Sequence, residues 1–394
     1  MRAEAPADRC TEFRSECMTN ESAWRRRKRR WNWARTASCC PREVRFPESE
    51  EEIVRLVRHC YENAIPLKVV GAGHSYNDLA SCDTDGYLVS LKKFNKLEHV
   101  DTEAKVVTFQ GGLRTASLNR KIFRRGLALQ NLGTNVFDSF AGACSTGYHG
   151  SGTDYRIQSD RIEWLEIVNG RGEKVRVERS DPDFPAVGVG LGAFGIVIRM
   201  AVRCGAAFNM EVAEWPCARE ELDRSLERIK AVNEHCKVLW IPHTETYVLW
   251  TGNRTRCTED PVWVKWKRFV FHGVFINNLV HGLLLSFAVR RRSRVPRINR
   301  VMARILHGAG NMTVLGCKWV FMLPHVVRQD AIEYAVPEEH ALACLGELDR
   351  RIREKGYWVD TCVEVRFVRD DGFWLSPAYR RRSCYIGTKI HFPM

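Results

Sequence analysis

The sequence predicts an α+β fold in two domains, with the boundary near residue 206. Three observations carry this. A helix, a short strand and a glycine-rich turn follow one another between Ser49 and Ser75. A second glycine-rich loop, Gly142-Ala143-Cys144-Ser145-Thr146-Gly147-Tyr148-His149-Gly150-Ser151-Gly152, lies among further strand-like segments. Around residues 203–216 the pattern resets, and Leu222, Leu226, Ile229 and Val232 then recur at helical spacing. A length of 394 residues accommodates two domains of ordinary size.

Taken in order, Ser49 and Glu52 have capping-box spacing, and Ile53, Leu56, Val57 and Cys60 mark one buried stripe of a helix. The apolar run Leu67–Val70 reads as a strand that enters the turn Gly71-Ala72-Gly73-His74-Ser75. Leu88–Leu91, Leu97–Val100 and Val106–Phe109 read as strands, and Leu118, Ile122 and Phe123 as a helix closed near Gly126. Asn169-Gly170 joins Trp164–Val168 to Lys174–Val177 as a hairpin. Gly190-Leu191-Gly192-Ala193-Phe194-Gly195 matches GxGxxG. The next segment, Ile196–Val202, alternates and is β-branched, so it is a strand. The dinucleotide mechanism requires a helix N-terminus on the pyrophosphate, and this segment does not supply one.

Composition narrows the function classes. Hydrophobic residues at 45% and charged residues at 27% are globular values. The formal charge of +14 is concentrated in Arg25–Arg30 and Arg290–Arg294, with Arg297 and Arg300 just beyond. Local clusters of this kind indicate tails or surface anchors, not a polyanion groove, so no nucleic-acid partner is expected. The 15 cysteines form an odd set without a CxxC, which argues for buried thiols and against a disulfide framework or a metal site. Residues 1–38 read as a basic tail, and their scattered acids and missing apolar core exclude a secretory leader. Residues 269–289 hold no charges and are flanked by basic residues, but His272, Asn277, Asn278, His281 and Ser286 interrupt them. The pattern fits an in-plane helix on a membrane surface better than a span. The expected location is therefore a membrane surface inside the cell, or the cytoplasm.

Two long glycine loops beside strands bring backbone close to a bulky phosphorylated ligand, because glycine has no Cβ to block the approach. With these loops the chain resembles the flavin-binding domain of the vanillyl-alcohol-oxidase, or PCMH-type, superfamily. The likeness continues in Trp240-Ile241-Pro242-His243-Thr244, Glu333-Tyr334-Ala335-Val336-Pro337 and Glu364-Val365-Arg366-Phe367, which are similar to aldonolactone oxidases. The resemblance covers roughly residues 32–390. It implies a two-part FAD-binding domain at 39–206 and a cap with an antiparallel sheet and flanking helices at 207–394, whose final strands return to the flavin domain.

The resemblance also implies chemistry. FAD would be bound covalently through His74, with Gly71, Ala72, Gly73 and Ser75 on its pyrophosphate. Ser139, Gly142, Ser145, Gly147, Ser151 and Gly152 would line the other side, and the backbone at Ile196 would lie near the adenine ribose. His149 would be structural or flavin-adjacent. Glu364 and Arg366, two apart on a β-like run and therefore on one face, would hold the hydroxyl being oxidised. The implied substrate is a sugar lactone oxidised at C2, or a polyol, with O₂ as acceptor and H₂O₂ as product. Relatives carry a His-x-Lys element near their end whose lysine reaches that hydroxyl. Here Lys389-Ile390-His391 has the reverse order and comes too early. This leaves two expectations: a shortened C-terminus that makes the chain a flavin-binding relative impaired in turnover, or a site that works without that lysine.

Overall fold

The computed structural model describes residues 29–82, 85–268, 291–307, 311–321 and 329–391. The stretch 269–289 and most of the expected tail lie outside the described residues. No helix among the described residues is long and apolar enough to cross a membrane.

The N-terminal half contains β1 (Glu43–Arg45), α1 (Glu50–Glu62), β2 (Leu67–Val70), β3 (Tyr87–Ser90), β4 (Leu97–Asp101), β5 (Val106–Gln110), α2 (Thr115–Phe123), α3 (Phe140–Ser145), β6 (Ile162–Val168), β7 (Lys174–Glu178) and β8 (Ile196–Arg203). The C-terminal half contains β9 (Asn209–Cys217), α4 (Arg219–Val232), β10 (His235–Trp240), β11 (Tyr247–Thr255), β12 (Asn311–Gly316), β13 (Gln329–Pro337), α5 (Ala341–Lys355), β14 (Val363–Val368) and β15 (Ser383–His391).

Strands β1, β3 and β2 form a parallel sheet in that order, and β7-β6-β8-β5-β4 an antiparallel one. Helix α1 lies between them: Ile53 and Val57 pack with Val89, Val168, Ile196 and Ile198 in one core. Its N-terminus is a variant of the expected box. Ser49 Oγ accepts from the Glu52 N–H, but the Glu52 carboxylate reaches back to the N–H of Glu48 rather than that of Ser49. The segment after Gly190 is strand β8, as its alternation requires. The hairpin at Asn169 closes through five residues, since Val168 pairs with Lys174.

The third large sheet, β12-β9-β11-β10-β14-β15-β13, is antiparallel throughout. Helices α4 and α5 cover one face, burying Leu222, Leu226, Leu345 and Ile352 against Val238, Trp240, Val363, Val365 and Phe367. Two expectations change. Val232 is 70% exposed, because the helix ends at that residue and the chain turns away toward β10. The final strand is inserted between β14 and β13, and from there Tyr385 packs against His149 of the N-terminal half. The tail also ends earlier than residue 38, since Arg30–Trp31 already pairs with Ser38–Cys39.

Candidate active site

Along a strand, successive side chains point to opposite faces. The positions that alternate with the buried apolar set on the seven-stranded sheet are Lys237 on β10, Glu364 and Arg366 on β14, Tyr385, Gly387 and Lys389 on β15, and Glu333 on β13. Register aligns them in rows: Lys237 faces Arg366, Arg366 faces Tyr385, and Gly387 lies between Glu364 and Glu333. The sheet therefore presents a charged strip on the face away from α4 and α5.

Arg366 Nη2 donates to Glu333 Oε1 at 2.8 Å. The other Glu333 oxygen takes His149 Nε2 at 3.2 Å, while His149 Nδ1 meets the Gly150 carbonyl at 3.0 Å. Carboxylate and carbonyl both only accept, so each ring nitrogen of His149 faces an acceptor. The imidazole also lies on Tyr385, with ring centroids 3.9 Å apart. The second glycine loop is thereby fastened to the sheet. Burial opposes ionisation of Glu333, but Arg366 and then His149 overcome it and hold the carboxyl well below the usual range.

Glu364 is only 7% exposed. Three cations surround it without touching: Arg366 Nε at 3.8 Å, Lys237 Nζ at 3.9 Å and Lys389 Nζ at 4.0 Å. Burial pushes its carboxyl up, yet Arg366 and the two lysines pull it down to about 2. Arg366 Nε is buried and has no hydrogen-bond partner among the described residues. Lys237 is held 4.7 Å over the Trp250 ring, and burial lowers its ammonium from the ordinary lysine value against the pull of Glu364.

The first glycine loop is braced from the N-terminus. Trp33 N–H donates to the Gly73 carbonyl at 2.7 Å, and its indole stacks on His74 with centroids 5.3 Å apart. Asn32 donates to the Ser75 carbonyl and Thr36 to that of Tyr76. Burial, and then the charge of Arg114, lowers the His74 pKa and favours a neutral imidazole. The two loops meet at Ser139: a Cβ on Gly71 or on Gly142 would collide with its hydroxyl. Gly73 turns in the left-handed region at φ 73°, with open space where a side chain would stand. Among the described residues, the backbone N–H groups of Ala72, Gly73, His74 and Ser75 donate to no protein acceptor. Four free donors beside open space fit a phosphate-bearing cofactor.

The other expected contacts are placed less uniformly. The 190–195 loop joins the second glycine loop through Leu191 N–H to the Ser145 carbonyl, 3.0 Å. Ser145 Oγ is turned back to the Ala141 carbonyl, and buried Ser151 Oγ lies 3.3 Å from His235 Nδ1. Gly152 bridges to His235, Gly147 packs beside Pro377 and Val189, and the Ile196 side chain is in the core. The sequence pattern did not single out Lys237 or the brace at Asn32, Trp33 and Thr36. A lysine in the strand His235–Trp240, followed by Val238, Leu239 and Trp240, was the signal for the first.

Comparison with known proteins gives this geometry a family. The D-arabinono-1,4-lactone oxidase family matches residues 200–394, and the FAD binding domain family matches residues 41–178. L-gulonolactone oxidase of Scyliorhinus torazame is 30% identical over 368 residues, covering 92% of this chain and 81% of that protein. L-gulono-1,4-lactone dehydrogenase of Mycobacterium tuberculosis is 29% identical, covering 90% and 81%. D-arabinono-1,4-lactone oxidase of Kluyveromyces lactis is 34% identical, covering 85% of this chain and 66% of that protein. Cholesterol oxidase from Brevibacterium sterolicum superposes with a TM-score of 0.75 at 16% identity, covering 92% of this chain and 79% of that one, a likeness of fold alone. This chain belongs to the aldonolactone oxidase family and carries its FAD-binding domain in the PCMH-type fold.

Proposed function

We propose that the protein oxidises the C2 hydroxyl of an aldono-1,4-lactone to a ketone that tautomerises to ascorbate or an analogue. The observation that carries this reading is the buried Glu364 carboxylate, surrounded but untouched by three cations, on a sheet face fastened to the second glycine loop. Bound at the two glycine loops, FAD would supply the acceptor for the hydride of the carbinol carbon. The chain's own groups deal with the rest. Arg366, fixed by Glu333, has Nε free to donate to the hydroxyl oxygen and to steady negative charge developing there. Glu364, held ionised, orients that hydroxyl by accepting its hydrogen and takes the proton as the carbon–oxygen double bond forms. Ala72–Ser75 supply backbone donors for the pyrophosphate. His74, neutral and stacked under Trp33, is the attachment point for a covalent flavin.

O₂ is the proposed electron acceptor, although the mycobacterial relative is named a dehydrogenase. The visible spectrum before and after acid precipitation tests the cofactor. Yellow colour should stay with the protein pellet and be released in His74→Ala; colour released from wild-type protein would remove the covalent role. Turnover of aldono-1,4-lactones with O₂ uptake and H₂O₂ release tests the reaction. Reduction of an artificial acceptor without O₂ uptake would assign a dehydrogenase instead, and no turnover in flavin-loaded protein would refute the lactone reading.

A further inference from the structure

Two lysines at Glu364 have no task in the reaction as described. Lys237 Nζ stands 3.9 Å from one carboxylate oxygen and Lys389 Nζ 4.0 Å from the other. Arg366 Nε completes the ring at 3.8 Å. All three distances exceed hydrogen-bond length. An ion cluster that served only stability would close to contact, as Arg366 does on Glu333 at 2.8 Å. Among the described residues, a buried carboxylate without a touching donor lies next to an arginine nitrogen without an acceptor, an arrangement that ligand oxygens would complete.

Gly387 lies in register between Glu364 and Glu333. A Cβ there would stand 3.1 Å from Glu333 Oε1 and crowd that carboxylate. The two lysines differ in access. Lys237 is 9% exposed in its side chain and is held over the Trp250 ring. Lys389 is 23% exposed, the more accessible of the two.

We propose that Lys389 is a specificity-determining residue whose ammonium donates to the ring carbonyl oxygen of the lactone, next to the hydroxyl that Glu364 accepts from. This rests on the lactone reading above and extends it to the choice between lactone and polyol. An ammonium only donates and a carboxylate only accepts. Side by side, they read a carbonyl and a hydroxyl on adjacent carbons. A polyol offers a second hydroxyl in place of the carbonyl. That hydroxyl accepts from Lys389 as well, but its own proton then needs an acceptor, and the neighbouring carboxylate is already engaged.

The test compares an aldono-1,4-lactone with the matching 1,4-anhydroalditol, the same ring without the carbonyl. Flavin-loaded wild-type, Lys389→Met and Lys389→Arg proteins are titrated anaerobically, with the anhydroalditol as competitor. kcat/KM for the lactone is measured in parallel. Wild-type protein should prefer the lactone by about 10- to 100-fold, the range expected for one charged hydrogen bond. Lys389→Met should lose that preference while its affinity for the anhydroalditol stays within about threefold. Lys389→Arg, which keeps a donor and controls for folding, should retain most of the preference. An equal loss for both ligands would assign a merely structural lysine and overturn the proposal, as would an unchanged preference in Lys389→Met. Wild-type protein that neither binds nor turns over lactone would overturn the proposed function and this assignment together.

Discussion

Replacing Glu333 with glutamine tests whether the link between the glycine loop and the sheet carries stability and orientation. The carboxylate receives Arg366 Nη2 at 2.8 Å and His149 Nε2 at 3.2 Å. Hydrogen bonds to charged groups contribute about 1.5–3 kcal/mol each. Glutamine keeps one amide oxygen and so one of the two contacts, but it loses the charge and turns an NH₂ toward the other donor. The Glu333 side chain is 31% exposed, so water takes over part of what is lost. The net expectation is about 2 kcal/mol of destabilisation, or about 4–8 °C for a unit of this size. Arg366 should also lose its fixed orientation, so that flavin reduction by lactone slows by about tenfold or more. Thermal unfolding of the flavin-loaded variant and anaerobic stopped-flow reduction read the two effects. A midpoint within 1 °C of wild type, together with an unchanged reduction rate, would refute the idea that Glu333 fixes the arginine.

Two pH effects arise from carboxyls outside the ordinary range, one buried and one half-buried. Glu364 is depressed to about 2, so its contribution is fully present above about 4.5 and is lost as the pH falls through 2. The difference in melting temperature between wild type and Glu364→Gln should therefore shrink between pH 4.5 and 2.5, and a constant difference would contradict it. Asp138 behaves in the opposite sense, because burial raises it to about 7 against the pull of Arg114. Its protonated form is favoured by folding, so stability falls as the pH rises from about 4 to 7. Asp138→Asn should gain on wild type across that interval and level off above it. Melting curves at pH 4.5 and 8 check this, and an equal difference at both would show that the Asp138 carboxyl is not desolvated in solution.

Legibility varied with how local each signal was. The turn at Gly71–Ser75 was readable because its glycines, the strand before it and the capped helix before that are contiguous. The Glu364–Arg366 pair was readable because two residues on one strand share a face whatever the strand pairs with. Glu333, Lys237 and Lys389 join that pair only through register between strands far apart in sequence, which no local pattern encodes. The nearness of Lys389 to Glu364 has the same origin: it is set by the pairing of Gly387 with Glu364, not by the local order Lys389-Ile390-His391. The early residues misled because charge and arginine content read as a tail, while Asn32, Trp33 and Thr36 act through contacts to carbonyls some forty residues away.

The insertion of β15 between β14 and β13 has a consequence for how the protein is made. Both neighbours leave the ribosome before it, so each waits with an open edge and the sheet stays split until residues 383–391 arrive. Open edges are templates for wrong partners, and a missing central strand leaves two half-sheets that cannot yet share a core. The strand that heals this split also brings Tyr385 against His149, Gly387 between the two carboxylates and Lys389 to within 4.0 Å of Glu364. Birth order thus keeps the charged strip of the candidate site incomplete until β15 itself has been synthesised.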